Sequence, residues 1–333
     1  MRLVAAAGML MLPLIASAAE DLCFFNDAAA PGPSTAYLLC AQGRIYVTRD
    51  AGAKWVTLKT GATQTLHAIA FRDASHGVVV GDAGTILATD DGGKTWREVL
   101  NKKQEHYSAQ DLHCVYALGS QIWAGGFDGA LLHSGDGGRT WGMQKSTTTM
   151  GIEGLYFVGA SHGWAVGWSG AILRTLDGGR NWQSIRSSKA PWSISSVRFR
   201  DQKNGWAVGF AGELLRSRDG GATWEAQKSP VEANLTSLAF DKAGRIWIAA
   251  DEQLLVNQDG GEKWTTVGVG EDLFLCKVFR VGDQLWALGQ LVLLRQSAPG
   301  MEWKRVESLV PAGTYNLDSP QASVPVPATA TGK

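Results

Sequence analysis

From about residue 20 to residue 310 the chain alternates short apolar runs, rich in β-branched and aromatic residues, with polar stretches that contain glycine. No helical periodicity runs through them, so the pattern predicts strands joined by hairpins. One representative stretch has strand A at Leu66–Phe71, a turn at Ser75-His76-Gly77 and strand B at Val78–Val80. A turn at Gly81-Asp82-Ala83-Gly84 leads to strand C at Thr85–Thr89, and Asp91-Gly92-Gly93 leads to strand D from Trp96. Glycine reaches positive φ at little steric cost, which such tight connections require.

The unit then repeats. Gly163-Trp164-Ala165-Val166-Gly167-Trp168 runs on to Asp177-Gly178-Gly179-Arg180-Asn181-Trp182, and Gly205 to Trp224 carries the same punctuation. A closing Trp recurs at Trp55, Trp96, Trp141, Trp182, Trp224, Trp264 and Trp303, a period of about 41 residues, in the range of four-stranded propeller blades. A lone blade cannot bury both faces of its sheet, so the copies must stack radially. The predicted fold is all-β: a seven-bladed β-propeller of four-stranded antiparallel blades over 20–310. Strand A of the first blade is placed at Leu22–Phe25. Each blade is then continuous in sequence, and the ring closes by packing of blade one on blade seven unless Gly313–Leu317 adds an edge strand.

The turn before each closing Trp fits Ser/Thr-x-Asp-x-Gly-x-x-Trp, an Asp-box. Asp91, Asp136, Asp177, Asp219 and Asp259 occupy it, and their carboxylates are expected to accept turn amides while the indole packs into the blade. Identical residues repeated around a ring indicate structure rather than catalysis. The first copy, Asp50-Ala51-Gly52, and the seventh, with Ala298 in place of the Asp, are atypical. Cys23 on strand A and Cys40 on strand B of blade one are candidates for a cross-strand disulfide. Cys114 and Cys276 are placed at equivalent strand-A positions of blades three and seven, too far apart to bridge. No cysteine has metal-ligand spacing.

Composition alters this picture little. Lys+Arg and Asp+Glu are 31 each, so no net field favours nucleic acid or an anionic membrane, and a charged partner must meet a local patch. The N-terminus has Arg2, an apolar run Leu3–Ile15 and Ala16-Ser17-Ala18-Ala19, the layout of a secretory signal peptide over 1–19. That predicts an exported protein, in a periplasm or, in a phototroph, the thylakoid lumen. Residues 311–333 are rich in Pro, Ala, Thr and Ser and read as a disordered tail.

Strand direction sorts the loops onto two rims. Phe127, Trp168 and Phe210 hold the same B-to-C tip position in blades three to five, and Trp192 lies in a neighbouring D-to-A loop; Lys102, Lys103, Lys145, Arg186, Lys189 and Lys228 share those loops. Large rigid aromatics ringed by cations form a candidate protein- or peptide-binding face. On the other rim Arg72, Arg200 and Arg280 each follow a strand-A Phe and form a secondary basic candidate. His67, His113 and Glu153 share a strand-A position and could converge at the channel mouth, although satisfied polar residues are the commoner outcome and no metal or other cofactor is expected.

Gly-Trp-Ala-Val-Gly followed by Asp-Gly-Gly-x-x-Trp, repeated behind an export signal, resembles the photosystem II stability and assembly factor family of seven-bladed Asp-box (BNR-type) propellers. The resemblance implies a non-enzymatic factor that binds a membrane-protein subunit or complex, or a peptide segment of one, during assembly; a monomer is expected. Members from phototrophs carry an arginine-rich stretch leading into a late inner strand; here Ser229–Leu235 has no Arg. Asp-boxes also occur in sialidase-type glycosidases, but none of Tyr37, Tyr46, Tyr107, Tyr116, Tyr156 and Tyr315 stands in a Tyr–Glu pair flanked by arginines, as that chemistry needs. A carbohydrate-binding module, with sugars stacked on Trp168, is the third reading.

Overall fold

The computed structural model describes residues 23–99, 110–186, 192–257, 263–270, 273–297 and 302–309. Twenty-eight strands form seven separate four-stranded sheets, each antiparallel and each in sequence order. The inner strands are Phe25–Ala29, Leu66–Phe71, Leu112–Leu118, Ile152–Val158, Ile194–Phe199, Leu235–Phe240 and Leu275–Val281. Each packs against the inner strand of the next blade, and the last returns to the first, which makes a seven-bladed β-propeller. Blade four is typical, with strands Ile152–Val158, His162–Gly167, Ile172–Thr175 and Gln183–Arg186.

The core is distributed over seven apolar clusters, each filling one interface between neighbouring blades. Strand B, buried along its length except at the first residue in blades three, four and seven, supplies the largest side chains: Trp123, Trp164, Trp206, Trp247 and Trp286 are all fully buried. Trp123 stacks on Phe157 of the next blade with ring centroids 3.7 Å apart, and Trp164 on Phe199 at 3.6 Å. Their Nε1–H groups donate to the Asp-box carbonyls of that next blade, Gly178 at 3.0 Å and Gly220 at 3.1 Å. Tyr37 of blade one does the same, stacking on Phe71 at 3.9 Å and donating to the Gly92 carbonyl. In blades one, three and four one strand-B aromatic thus contributes both buried apolar area and an inter-blade hydrogen bond, whereas the Trp247 indole of blade six donates to Asp241 of its own blade.

The Asp-boxes bond as expected. In blade two the Thr89 hydroxyl donates to Asp91 Oδ1 at 2.8 Å, and the Thr95 backbone N–H donates to the same oxygen at 2.9 Å. Asp136, Asp177 and Asp219 repeat the arrangement. So does Asp50, with donors from Thr48 and Lys54, because Ala51 takes the left-handed conformation (φ 54°) in which other blades place Gly. Asp259, Lys189, Lys102, Lys103, Ala298, the signal segment 1–19 and the stretch 311–333 with Gly313–Leu317 lie outside the described residues.

Two placements need correction. Strand A of blade one is Phe25–Ala29, not Leu22–Phe25; Cys23 therefore precedes the strand, and from there it forms a disulfide with Cys40, Cα atoms 5.4 Å apart. Cys114 and Cys276 are also not equivalent. Cys114 is two residues beyond Leu112, whereas Cys276 directly follows Leu275, the residue that matches Leu112 in the ladder.

Closure involves no strand exchange among the described residues. The Phe25 N–H donates to the Gln290 carbonyl at 2.9 Å. Lys277 of blade seven pairs with Asp27 of blade one, and Asp27 Oδ2 also accepts the Ile69 N–H of blade two at 2.9 Å. Phe25, Leu38, Trp286 and Leu288 share one apolar cluster across the seam.

Candidate functional site

Backbone hydrogen bonds define the two rims. The B-to-C tips fold onto the residue before strand A of their own blade: Asp82 N–H to Thr65, Phe127 to Asp111, Trp168 to Gly151 and Phe210 to Ser193, all at 2.9–3.0 Å. The Asp-boxes bond instead to the A-to-B turns, as Gly178 N–H does to Ser161 and Gly220 to Lys203. The close approach at the tips requires glycine; a Cβ on Gly167 would lie 1.9 Å from the Gly151 carbonyl oxygen.

At the centre of each tip the chain turns left-handed, at Ala83, Asp128, Ser169 and Ala211, all with φ 53°. The residue just before it is thereby presented on the rim. Trp168 (38% exposed) and Phe210 (46%) are presented in this way. Trp192 is 49% exposed and adjoins Ser193, the acceptor of the Phe210 tip bond. Phe127 differs: it is only partly exposed, edge-on to His113 at 4.5 Å and to Trp168 at 4.9 Å, and so it supports Trp168.

Beneath these rings lies a polar chain that the sequence only hinted at. Every A–B ladder shifts register after its first pair, a bulge that leaves one extra residue on strand A. His67, His113 and Glu153 are the bulge residues of blades two to four. Nε2 of His67 lies 2.5 Å from Asp82 Oδ1, and the rings of His67 and His113 are 5.1 Å apart. His113 Nδ1 lies 2.9 Å from Glu153 Oε1, which also accepts the Trp168 Nε1–H at 2.5 Å. Burial alone would lower the His113 pKa, but the Glu153 carboxylate outweighs it and raises the value. Burial would raise Glu153, yet His113 and the Trp168 indole hold it below the usual carboxylate range. The three groups do converge, each with a partner; among the described residues no group of three His, Cys, Asp or Glu side chains could hold a metal ion.

The cations are arranged differently from the expected ring. Arg186 is held by Glu213 at 2.8 Å, on the wall of a hydroxyl-lined groove of about 470 Å³ with Ser146, Thr148 and Ser184. Lys145 lies in the same D-to-A loop as Ser146. The B-to-C tips themselves are acidic, carrying Asp82, Asp128, Glu213, Asp251 and Glu252.

On the opposite rim the three arginines stay apart. Arg72 contacts Asp73 at 3.6 Å, and Arg200 donates to the Gly244 carbonyl and lies over the Trp206 ring at 5.1 Å. Arg280 is exposed within strand A of blade seven rather than in the turn after it. Tyr116 and Tyr156, packed against the interfaces between blades, donate to the carbonyls of Phe157 and Phe199. Burial pushes the Tyr116 phenol up to about 12, opposite to what a nucleophile needs.

Comparison with known proteins fits this geometry. The family model described as Photosynthesis system II assembly factor YCF48 matches residues 53–150, 142–225 and 189–275. The photosystem II assembly lipoprotein Ycf48 of Synechococcus sp. (strain CC9902) is 33% identical over 104 residues, 31% of this chain and 30% of that protein. The photosystem II assembly protein Ycf48 of Thermosynechococcus vestitus is 30% identical over 112 residues, 33% of this chain and 32% of that protein. The matched stretch thus spans about a third of the length of these two relatives. Among solved structures, YCF48 bound to a D1 peptide superposes with TM-score 0.68 at 21% identity, covering 83% of this chain and 92% of that one. YCF48 from Cyanidioschyzon merolae gives 0.67 at 19%, covering 82% and 95%; at such identities the likeness is one of fold. With the family model matching over most of residues 53–275, the chain belongs to the photosystem II assembly factor YCF48 family of β-propellers.

Proposed function

We propose that this protein is an exported, non-catalytic assembly factor whose B-to-C rim holds a segment of a membrane-protein subunit while its complex is built. The observation that carries the reading is the presentation of Trp168, Trp192 and Phe210 on adjacent blades, each more than a third exposed. Large aromatics fixed on a rigid scaffold lose little conformational entropy on binding and commonly dominate interface energetics. Support also comes from the solved relative bound to a D1 peptide, whose fold this chain shares. Tyr116 and Tyr156, half-buried between blades and committed to backbone carbonyls, offer no nucleophile for glycoside cleavage. The Cys23–Cys40 disulfide suits an oxidising compartment.

The test is capture of a subunit from detergent-solubilised membranes of the source organism by the purified protein. The wild type should retain a membrane-protein subunit, and Trp168→Ala/Phe210→Ala, with an unchanged melting curve, should lose it. Equal capture by both proteins would remove the rim from the account.

A further inference from the structure

The same rim carries a second apolar patch, over the seam where the ring closes. Phe24, Phe274 and Leu291 are 38%, 53% and 50% exposed, and all three gather around Gln290. The Gln290 N–H donates to the Phe274 carbonyl, its own carbonyl accepts the N–H of Phe25, next to Phe24, and Leu291 follows it in sequence. Phe274 has φ 42°. A bulky residue in the left-handed region is strained, and such strain collects at functional positions. Of the nine exposed large apolar residues among the described residues, six lie on this rim, namely the seam three with Trp168, Trp192 and Phe210. Of the other three, Leu176 lies beside Asp177 on the Asp-box rim, and Val56 and Met143 lie on outer strands.

In a ring of seven, the seam between blades seven and one lies directly across the channel from blade four, which bears Trp168. Between the two patches the tips present carboxylates: Asp82 and Asp128 on one side of the mouth, Asp251 and Glu252 on the other. The cations of this rim, Lys145, Arg186 and Lys228, lie in or beside the D-to-A loops rather than at the tips, and Arg186 is paired with Glu213.

We propose that the occupant of this rim is an extended peptide segment that crosses the channel mouth. Its apolar side chains seat on the Trp168–Phe210 patch at one end and the Phe24–Phe274–Leu291 patch at the other, and its lysines or arginines lie between them over the acidic tips. This rests on the rim-binding reading above and adds the second anchor and the charge of the client. Charge complementarity selects a basic peptide over an anionic lipid surface, which the carboxylates repel.

Fluorescence anisotropy with labelled synthetic peptides tests it. The probe has Leu and Phe at both ends and lysines in the middle, and its roughly ten residues reach about 35 Å when extended. A second peptide has glutamates in place of the lysines. The lysine peptide should bind at least about tenfold more tightly than the glutamate peptide, and Phe274→Ser/Leu291→Ser and Trp168→Ala should each weaken it about tenfold. Far-ultraviolet circular dichroism and melting curves confirm that the variants are folded. Weakening by Trp168→Ala with no effect of the seam substitutions would overturn the second anchor and leave the rim reading standing. Equal affinity for the two peptides would overturn the charge assignment. Binding that neither variant alters, or no binding at all, would overturn both the inference and the reading beneath it.

Discussion

The Asp-box aspartates show how a repeated residue serves the fold. Hydrogen bonds from the Thr95 hydroxyl and backbone hold Asp91 down to about 2, and Thr223 does the same for Asp219. A carboxylate whose pKa is depressed by folding stabilises the fold above the ordinary aspartate value and loses that contribution as pH falls through the folded value. Melting temperature should therefore fall steeply between about pH 4 and pH 2, and Asp91→Asn/Asp219→Asn should flatten that slope in a pH series of thermal melts. His113 has the opposite sign. Raised by Glu153, with Asp111 and Asp82 adding to it and His67 beside it, its ion pair persists below the ordinary histidine value, near 6.5, and is lost as pH rises through the raised one. Proton NMR should find His113 titrating above that ordinary value, and Glu153→Gln should bring it down. An unshifted His113 in the wild type would remove the coupling that holds Trp168.

Among the elements, strand B has the largest energetic role. Trp164 fills the interface between blades four and five and donates to Gly220, so Trp164→Ala combines a large cavity with an orphaned carbonyl. We expect a loss of about 3–5 kcal/mol in urea unfolding. The Cys23–Cys40 bridge closes a span of 17 residues, so Cys23→Ser/Cys40→Ser should cost about 3 kcal/mol by the same measurement. Reductant should act only at this bridge, since Cys114 and Cys276 are already free thiols. Strand order and Asp-boxes were legible in the sequence because they recur with a fixed period. The strand-A bulges were not, because a register shift leaves no mark on apolar alternation; only the shared position of His67, His113 and Glu153 signalled them. The seam patch was also hidden, since Phe24, Phe274 and Leu291 lie far apart in sequence and meet only where the ring closes.

At the scale of the molecule, symmetry explains stability, and its departures mark the rim proposed to bind. Seven similar interfaces hold the ring, while one rim concentrates exposed aromatics, bulged polar residues and acidic tips, and the other gathers arginines capping carbonyls or lying over rings. The central claim is that this B-to-C rim is where a membrane-protein segment binds. Hydrogen–deuterium exchange of the protein with and without its captured subunit tests that most directly. The account predicts slowed exchange at the tips 168–170, 210–212 and 290–291, with the Asp-box turns 177–181 and 219–223 unchanged; protection confined to those turns would contradict it.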